Sequence, residues 1–113
     1  AKVKMLEGLG GGILILPYAS SLNWDLETSF MFKTTLTGSV TLNIPSNIRA
    51  GSWIMYVVQD NVGGRQMTFD AAYLGPRGLL PVLSTLPNAV DIVSFVSDGV
   101  TVAVSIQANL ATA

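Results

Sequence analysis

The chain has 113 residues, enough for one domain with a real hydrophobic core. It has no cysteine, which excludes disulfides and thiolate metal sites, and no histidine, which removes the usual general base and the commonest metal ligand. A net charge of −1 creates no field that would attract nucleic acid or an anionic membrane, and we predict neither as a partner.

Half of the residues are hydrophobic and only 12% are charged, about half the charged share of an ordinary soluble domain. The longest apolar runs, Ile13–Leu16 and Trp53–Val58, are too short to span a bilayer. A chain with this balance is expected to cover part of its surface with partners. We therefore expect an oligomer or a lattice component. The alternative is a monomer whose exposed apolar surface makes it prone to non-specific association.

The first twenty-two residues differ from the rest. Glycines at 8 and 10–12 precede Ile13, Leu14, Ile15 and Leu16. A phosphate-binding glycine loop would follow a strand and open a helix, which is not the order here. We interpret residues 1–22 as a glycine hinge and an extended arm, and residues 23–113 as the folded domain. The four apolar residues are predicted to contact another subunit or the particle, unless they are simply the first strand of the domain.

The pattern of apolar and polar residues predicts β-strands in the central part of the chain. Alternation of apolar and polar side chains over residues 24–36 predicts a long strand, or two merged strands, and the pattern resumes over residues 40–44. Trp53–Val58 is apolar on both faces, which is typical of a strand in the middle of a sandwich or against a neighbouring subunit. No segment has a helical period. Short strands with frequent turns predict an all-β fold, an antiparallel β-sandwich or jelly roll.

Two loops carry turn signals. Asp60, Gly63, Gly64 and Arg65 lie between two strand-like runs. Glycines permit positive φ and the aspartate can bond nearby amides, so we interpret this loop as a hairpin turn closed by an Asp60–Arg65 ion pair, not as a reactive site. Asp98-Gly99 between two further runs is a strong hairpin signal.

No set of side chains predicts an enzyme. Asp25 and Glu27 would share one strand face and could act as a glycosidic acid–base pair, but adjacent acids on an exposed strand are more often a solvated face. The aspartates lack the alternating pattern of a calcium-binding loop. Without histidine or a Ser-x-x-Lys spacing, no serine is activated. We predict no catalytic residue, no metal site and no other cofactor.

A series of short motifs runs through the chain in a fixed order. They are Gln59-Asp60, Gly63-Gly64-Arg65, Thr68-Phe69, Tyr73, Gly75-Pro76-Arg77-Gly78, Pro81, Leu83-Ser84-Thr85, Asn88-Ala89-Val90-Asp91, Ser94-Phe95 and Asp98-Gly99. In this order the chain resembles a β module of bacteriophage tail-fibre and other virion-surface proteins, over residues 23–107. The resemblance implies a structural protein of the virion surface, commonly trimeric.

One loop departs from that pattern. Such modules often have an aromatic residue followed by Pro-Gly-Gly-Thr-Ala-Pro, where this chain has Leu74 and then Leu79 and Leu80 before Pro81. Leucines at these positions favour a protein contact over a sugar contact. Leu79 and Leu80 therefore join the predicted contacts with a subunit or with the particle.

Together these features predict a small capsid-decoration protein on the virion surface, a homotrimer that contacts other virion proteins such as the major capsid protein. The prediction depends on residues 1–22, which are too few for a fibre shaft. The alternative is a tail-fibre or receptor-binding tip that recognises host-surface carbohydrate. An enzyme that cleaves polysaccharide is the third and weakest class, because this chain has no credible acid–base pair.

Overall fold

The computed structural model describes residues 12–110, in which regular structure is almost entirely β-strand. The strands are β1 (Leu14–Ile15), β2 (Ser21–Leu22), β3 (Met31–Leu36), β4 (Val40–Leu42), β5 (Ala50–Gln59), β6 (Met67–Phe69), β7 (Tyr73–Leu74), β8 (Val90–Asp98) and β9 (Val102–Leu110). A short 3₁₀ turn, Pro76–Gly78, follows β7. Nowhere in residues 12–110 is there a helix long and apolar enough to cross a bilayer. The prediction of an all-β fold is confirmed.

Two sheets enclose one core. The large sheet has six strands in the order β1-β3-β5-β8-β9-β7, and the small sheet has three in the order β2-β4-β6. Buried apolar side chains of both sheets belong to a single cluster, with Phe32, Trp53 and Phe95 from the large sheet and Leu42 from the small one. The arrangement is a β-sandwich, and the second face of the large sheet points away from this core.

Strand direction differs from the predicted antiparallel arrangement. Only the β5–β8 and β8–β9 pairs are antiparallel, and the other described pairs are parallel. The cause is the path of the chain, which alternates between the two sheets from β1 to β7. Each crossing reverses the chain, so every second strand returns to the same sheet in the same direction. The antiparallel part of the prediction holds only for β5, β8 and β9.

The second half of the predicted arm contributes strands to both sheets. β1 pairs with β3 in the large sheet, and β2 pairs with β4 in the small sheet. Within the described residues, Ile13–Leu16 is therefore the first strand of the domain and its flanks. The predicted glycine hinge at 8 and 10–11 lies outside the described residues.

The long strand predicted over residues 24–36 is interrupted by a turn. Thr28 donates to the Asp25 carbonyl through its amide (3.2 Å) and its hydroxyl (2.7 Å), and the amide of Glu27 donates to Asp25 Oδ1 (2.8 Å). These local bonds satisfy the amides of Glu27 and Thr28 without a strand partner, so β3 begins only at Met31. The central position predicted for Trp53–Val58 is confirmed, because this run lies in β5 between β3 and β8.

The connections define two ends of the sandwich. Residues 25–30, 45–49, 70–72 and 98–101 lie at one end, which we call the polar end. Residues 37–39, 60–66 and 84–89 lie at the opposite end, the motif end, named for the sequence motifs that it carries.

The two loops with turn signals lie at different ends. The predicted hairpin through Asp60, Gly63, Gly64 and Arg65 is wrong, because β5 and β6 belong to different sheets and this motif-end loop crosses between them. At the polar end, β8 and β9 pair antiparallel across Asp98-Gly99, as the Asp-Gly signal predicts.

Candidate functional site

Gln59, the last residue of β5, joins two loops at the motif end. Its buried side-chain amide donates to the carbonyls of Arg65 (2.7 Å) and Ser84 (2.9 Å). Its Oε1 accepts from the amide of Arg65 (3.1 Å). Both amide hydrogens and the carbonyl oxygen therefore bind backbone groups of the same chain, which ties the two loops to the end of β5.

Asp60 and Arg65 close the first of these loops. The Asp60 carboxylate accepts from the amides of Val62 (3.1 Å) and Gly63 (3.0 Å), and Arg65 Nη2 lies 2.9 Å from Oδ2. The hydrogen bond from Arg65, followed by that from the Gly63 amide, holds the pKa of Asp60 below its ordinary value. The ion pair therefore fixes the shape of the loop.

The two glycines of this loop have different surroundings. Gly63 has φ 74°, and a Cβ there would lie 2.7 Å from the Thr85 carbonyl oxygen and 2.7 Å from Pro87 N. Gly64 has φ 77° and open space around the same position, while its amide donates to the Thr85 carbonyl (2.7 Å). Loop 60–66 therefore packs directly on residues 84–89, and only Gly63 is enclosed by that contact.

Asp91 is a second structural carboxylate near this end, on the core side of β8. It is 2% exposed, and its two oxygens accept from the amides of Ser84 (2.7 Å) and Asn109 (2.7 Å). Within residues 12–110 no cation pairs with it. The sequence places Asp91 in the Asn88-Ala89-Val90-Asp91 motif but does not predict these two bonds.

The charged side chains of the polar end are exposed or half-buried. Asp25 Oδ1 accepts from Asn47 Nδ2 (2.9 Å), and Arg49 forms an ion pair with Glu27 (3.3 Å). Asp25 and Glu27, which the sequence offers as a possible acid–base pair, therefore bind different partners: the Asn47 amide and the Arg49 guanidinium. Among residues 12–110, this end carries the carboxylates of Asp25, Glu27, Asp70 and Asp98 and the guanidinium of Arg49.

An exposed aromatic ring lies at the same end. Phe30 is 45% exposed, and its ring centroid lies 6.0 Å from that of the buried Trp53. The carbonyl of Phe30 accepts from the amide of Ile54 (2.9 Å), which fixes the backbone beneath the ring. Phe30 therefore offers a supported apolar surface next to polar groups.

The hairpin loop 98–101 completes the polar end. Asp98 Oδ1 accepts from the amides of Thr101 (2.8 Å) and Val100 (2.9 Å) and from the Thr101 hydroxyl (3.1 Å). The backbone hydrogen bonds, that of Thr101 first, hold the pKa of Asp98 below its ordinary value. The loop thereby displays Val100, which is 79% exposed.

The six predicted contact residues lie at opposite edges of the large sheet. Ile13, Leu14 and Ile15 lie at the β1 edge and are exposed, and Leu79 is exposed beyond the β7 edge. The remaining two, Leu16 and Leu80, are half-buried against the core of their own chain. The structure therefore does not bring the two sets together within one molecule.

Two open, uncharged grooves border β9. One, of about 380 Å³, is lined by Leu74, Gly75, Pro76, Ser94, Val96, Ala103, Val104 and Ser105. The other, of about 350 Å³, is lined by Pro76, Leu79, Leu80, Pro81, Val104, Ser105 and Ile106. In the described part of the chain, no three acidic side chains come together as a metal site.

These features define a β-sandwich module with one end fixed by motif residues and the other end rich in exposed polar groups. Residues 17–102 match a family model described as "Putative phage tail fibre C-terminal domain". The match covers more than half of the chain, and the chain therefore belongs to this family and is a structural protein of a bacteriophage. The predicted resemblance to a virion module is confirmed. No curated protein and no solved structure gives a match.

Proposed function

We propose that this chain is a tail-fibre module on the virion surface that works as a homotrimer and binds host-surface carbohydrate through its polar end. The observation that carries the proposal is the exposed ring of Phe30, supported by Trp53 and accompanied by the Glu27–Arg49 pair. The family match favours a fibre over other virion locations.

The chemistry of the polar end suits a sugar. A sugar ring has an apolar C–H face that stacks on an aromatic side chain, and hydroxyls that bond to carboxylates, amides and guanidinium groups. Phe30 supplies the first element, and Glu27, Asn47 and Arg49 supply the second. Because the Glu27–Arg49 pair is about half exposed, its exchange for bonds to a ligand costs little stability.

The test is binding of the purified chain to an array of bacterial surface polysaccharides. Phe30→Ala removes the exposed ring, and the loss of a contact worth about 1.4 kcal/mol lowers affinity about tenfold. Val62→Ala is the matched control, because Val62 is an exposed apolar residue at the motif end. Unchanged binding by Phe30→Ala, at an unchanged melting temperature, would contradict carbohydrate recognition at this end.

Self-association is a separate part of the proposal. Its support is the apolar composition together with exposed Ile15, Leu79 and Val96 on the large sheet and its border. Sedimentation at low micromolar concentration should give one species near three times 11.9 kDa. A monomer with full β-sheet circular dichroism would count against the trimer while leaving carbohydrate binding to be judged on the array.

Capsid decoration is the second candidate. The exposed apolar residues of β1 favour it, because they offer a surface on which another virion protein, such as the major capsid protein, can dock. Labelled antibodies against this chain, imaged on whole particles, distinguish the two candidates. Label confined to the tail supports the fibre, and label over the capsid supports decoration.

A further inference from the structure

The β1 edge of the large sheet is open. Among residues 12–110, β1 pairs with β3 on one side and with no strand on the other. Ile13, Leu14 and Ile15 are 43%, 38% and 60% exposed. A short apolar strand with unpaired backbone groups is a template for pairing with another strand.

The opposite edge is open over most of its length. β9 runs from Val102 to Leu110, but β7 pairs only with Val102 and Ala103. Within the described residues, positions 104–110 therefore have no strand partner on that side. The two uncharged grooves described above border residues 103–106 of β9, and their walls include Pro76, Leu79 and Pro81.

The open edge of β9 is long enough to accept β1, and both edges are uncharged. Four extended residues, 13–16, span about 13 Å, and the unpaired residues 104–110 span about 23 Å. Neither the strand nor the groove lining contains a charged residue. Within one chain the edges are separated by four strand intervals, about 19 Å. They can meet only between copies.

We propose that β1 of one copy docks along residues 104–110 of β9 in the next copy, with its apolar side chains in the grooves bordered by residues 74–81. This inference rests on the proposed homotrimer and names its contact surface. The contact joins two different surfaces, so it repeats around a ring, which three copies close. It is strand addition to an open sheet edge, in which backbone hydrogen bonds and side-chain burial act together.

The direction of the strands agrees with this geometry. A three-fold axis along the strands makes β1 of one copy parallel to β9 of its neighbour, because β1, β3, β5 and β9 run the same way. β7 already pairs with β9 in that direction. The docked β1 therefore extends the row that β7 begins.

The size of the contact makes trimer formation cooperative. A four-residue strand buries less surface than a typical stable interface, which buries about 800 Å² on each partner. In a closed ring each copy donates one edge and accepts another, and the second contact forms within an existing assembly. Trimers are therefore expected without a stable dimer.

Disulfide crosslinking tests the contact, because the chain has no cysteine of its own. In one mixture, the Ile15→Cys variant is combined with the Ser105→Cys variant. In a second mixture, it is combined with Gln107→Cys, the next position on the same face of β9. All three positions are exposed and lie on the outer side of the large sheet. Within one chain, Ile15 and Ser105 are about 19 Å apart, beyond the reach of a disulfide. Any bond must form between copies.

The expected result is a disulfide-linked heterodimer in at least one mixture, and a covalent trimer from the corresponding double variant. Ile15→Cys mixed with Thr68→Cys, an exposed position on the small sheet, is the negative control and should give no crosslink. Crosslinking of Ile15→Cys to itself would show a two-fold edge contact and overturn the inference. A trimer by sedimentation that crosslinks in neither mixture would also overturn it, while leaving the proposed trimer intact.

Discussion

At the motif end, polar side chains point into the protein, whereas at the polar end comparable side chains remain at the surface. Among residues 12–110, each end has one ion pair. Arg65 and Asp60 at the motif end have side chains that are 27% and 17% exposed, while Arg49 and Glu27 at the polar end are 43% and 50% exposed. The comparison shows that an ion pair fixes its loop where its carboxylate also binds backbone amides, as that of Asp60 does, whereas the Glu27–Arg49 pair is more exposed.

The largest expected effect is the loss of Asp91 near the motif end. Asp91→Ala leaves the amides of Ser84 and Asn109 without their charged acceptor. At about 1.5 kcal/mol for each bond, the free energy of unfolding should fall by about 3 kcal/mol. Urea unfolding measures this loss.

The matched control is Asp70→Ala at the polar end. The carboxylate of Asp70 accepts a hydrogen bond from the amide of Ala72 (2.8 Å). We expect a loss below about 1 kcal/mol there. Equal losses for Asp70→Ala and Asp91→Ala would remove the distinction between the two ends.

The next largest effect separates the two glycines of the motif-end loop. Both have positive φ, so an alanine costs about 1 kcal/mol or more at either position. At Gly63 the new Cβ also meets the backbone of Thr85 and Pro87. Thermal unfolding should therefore show Gly63→Ala to be less stable than Gly64→Ala by about 1–2 kcal/mol. A larger loss for Gly64→Ala would mean that the loop does not pack on residues 84–89 as described.

A smaller effect distinguishes the two arginines. Arg65→Ala should lower the melting temperature slightly and leave polysaccharide binding unchanged. Arg49→Ala should change stability by less than about 0.5 kcal/mol and weaken binding. Melting temperatures and array binding of both variants measure the two effects. Loss of binding in Arg65→Ala at an unchanged melting temperature would identify the motif end as the contact surface.

The smallest effect is the pH dependence of one loop at each end. Folding lowers the pKa of both Asp60 and Asp98 from an ordinary value of 3.8. The stability that each contributes is therefore fully present above this value and declines as the pH falls through the lower folded pKa. The difference in melting temperature between pH 7 and pH 3 should be smaller for Asp60→Asn and for Asp98→Asn than for the unmodified chain. An unchanged difference in either variant would show that its carboxylate is not bonded as described.

The sequence by itself determined the all-β class, the position of β5 inside a sheet, the Asp-Gly hairpin and the family. These features depend on side-chain alternation, local turn chemistry and the order of short motifs, all of which can be read along the chain. Buried positions such as Val40 and Leu42 follow from the same alternation.

The tertiary structure alone decided strand direction, the path of loop 60–66 and the role of Asp91. Alternation with a period of two is the same for parallel and antiparallel strands, so it cannot show that the chain crosses between sheets after each early strand. The bonds of Asp91 to residues 84 and 109, and the separation of Ile13–Leu16 from Leu79 and Leu80, depend on which distant segments become neighbours. That choice is made by burial of one shared core, to which residues far apart in the chain contribute together.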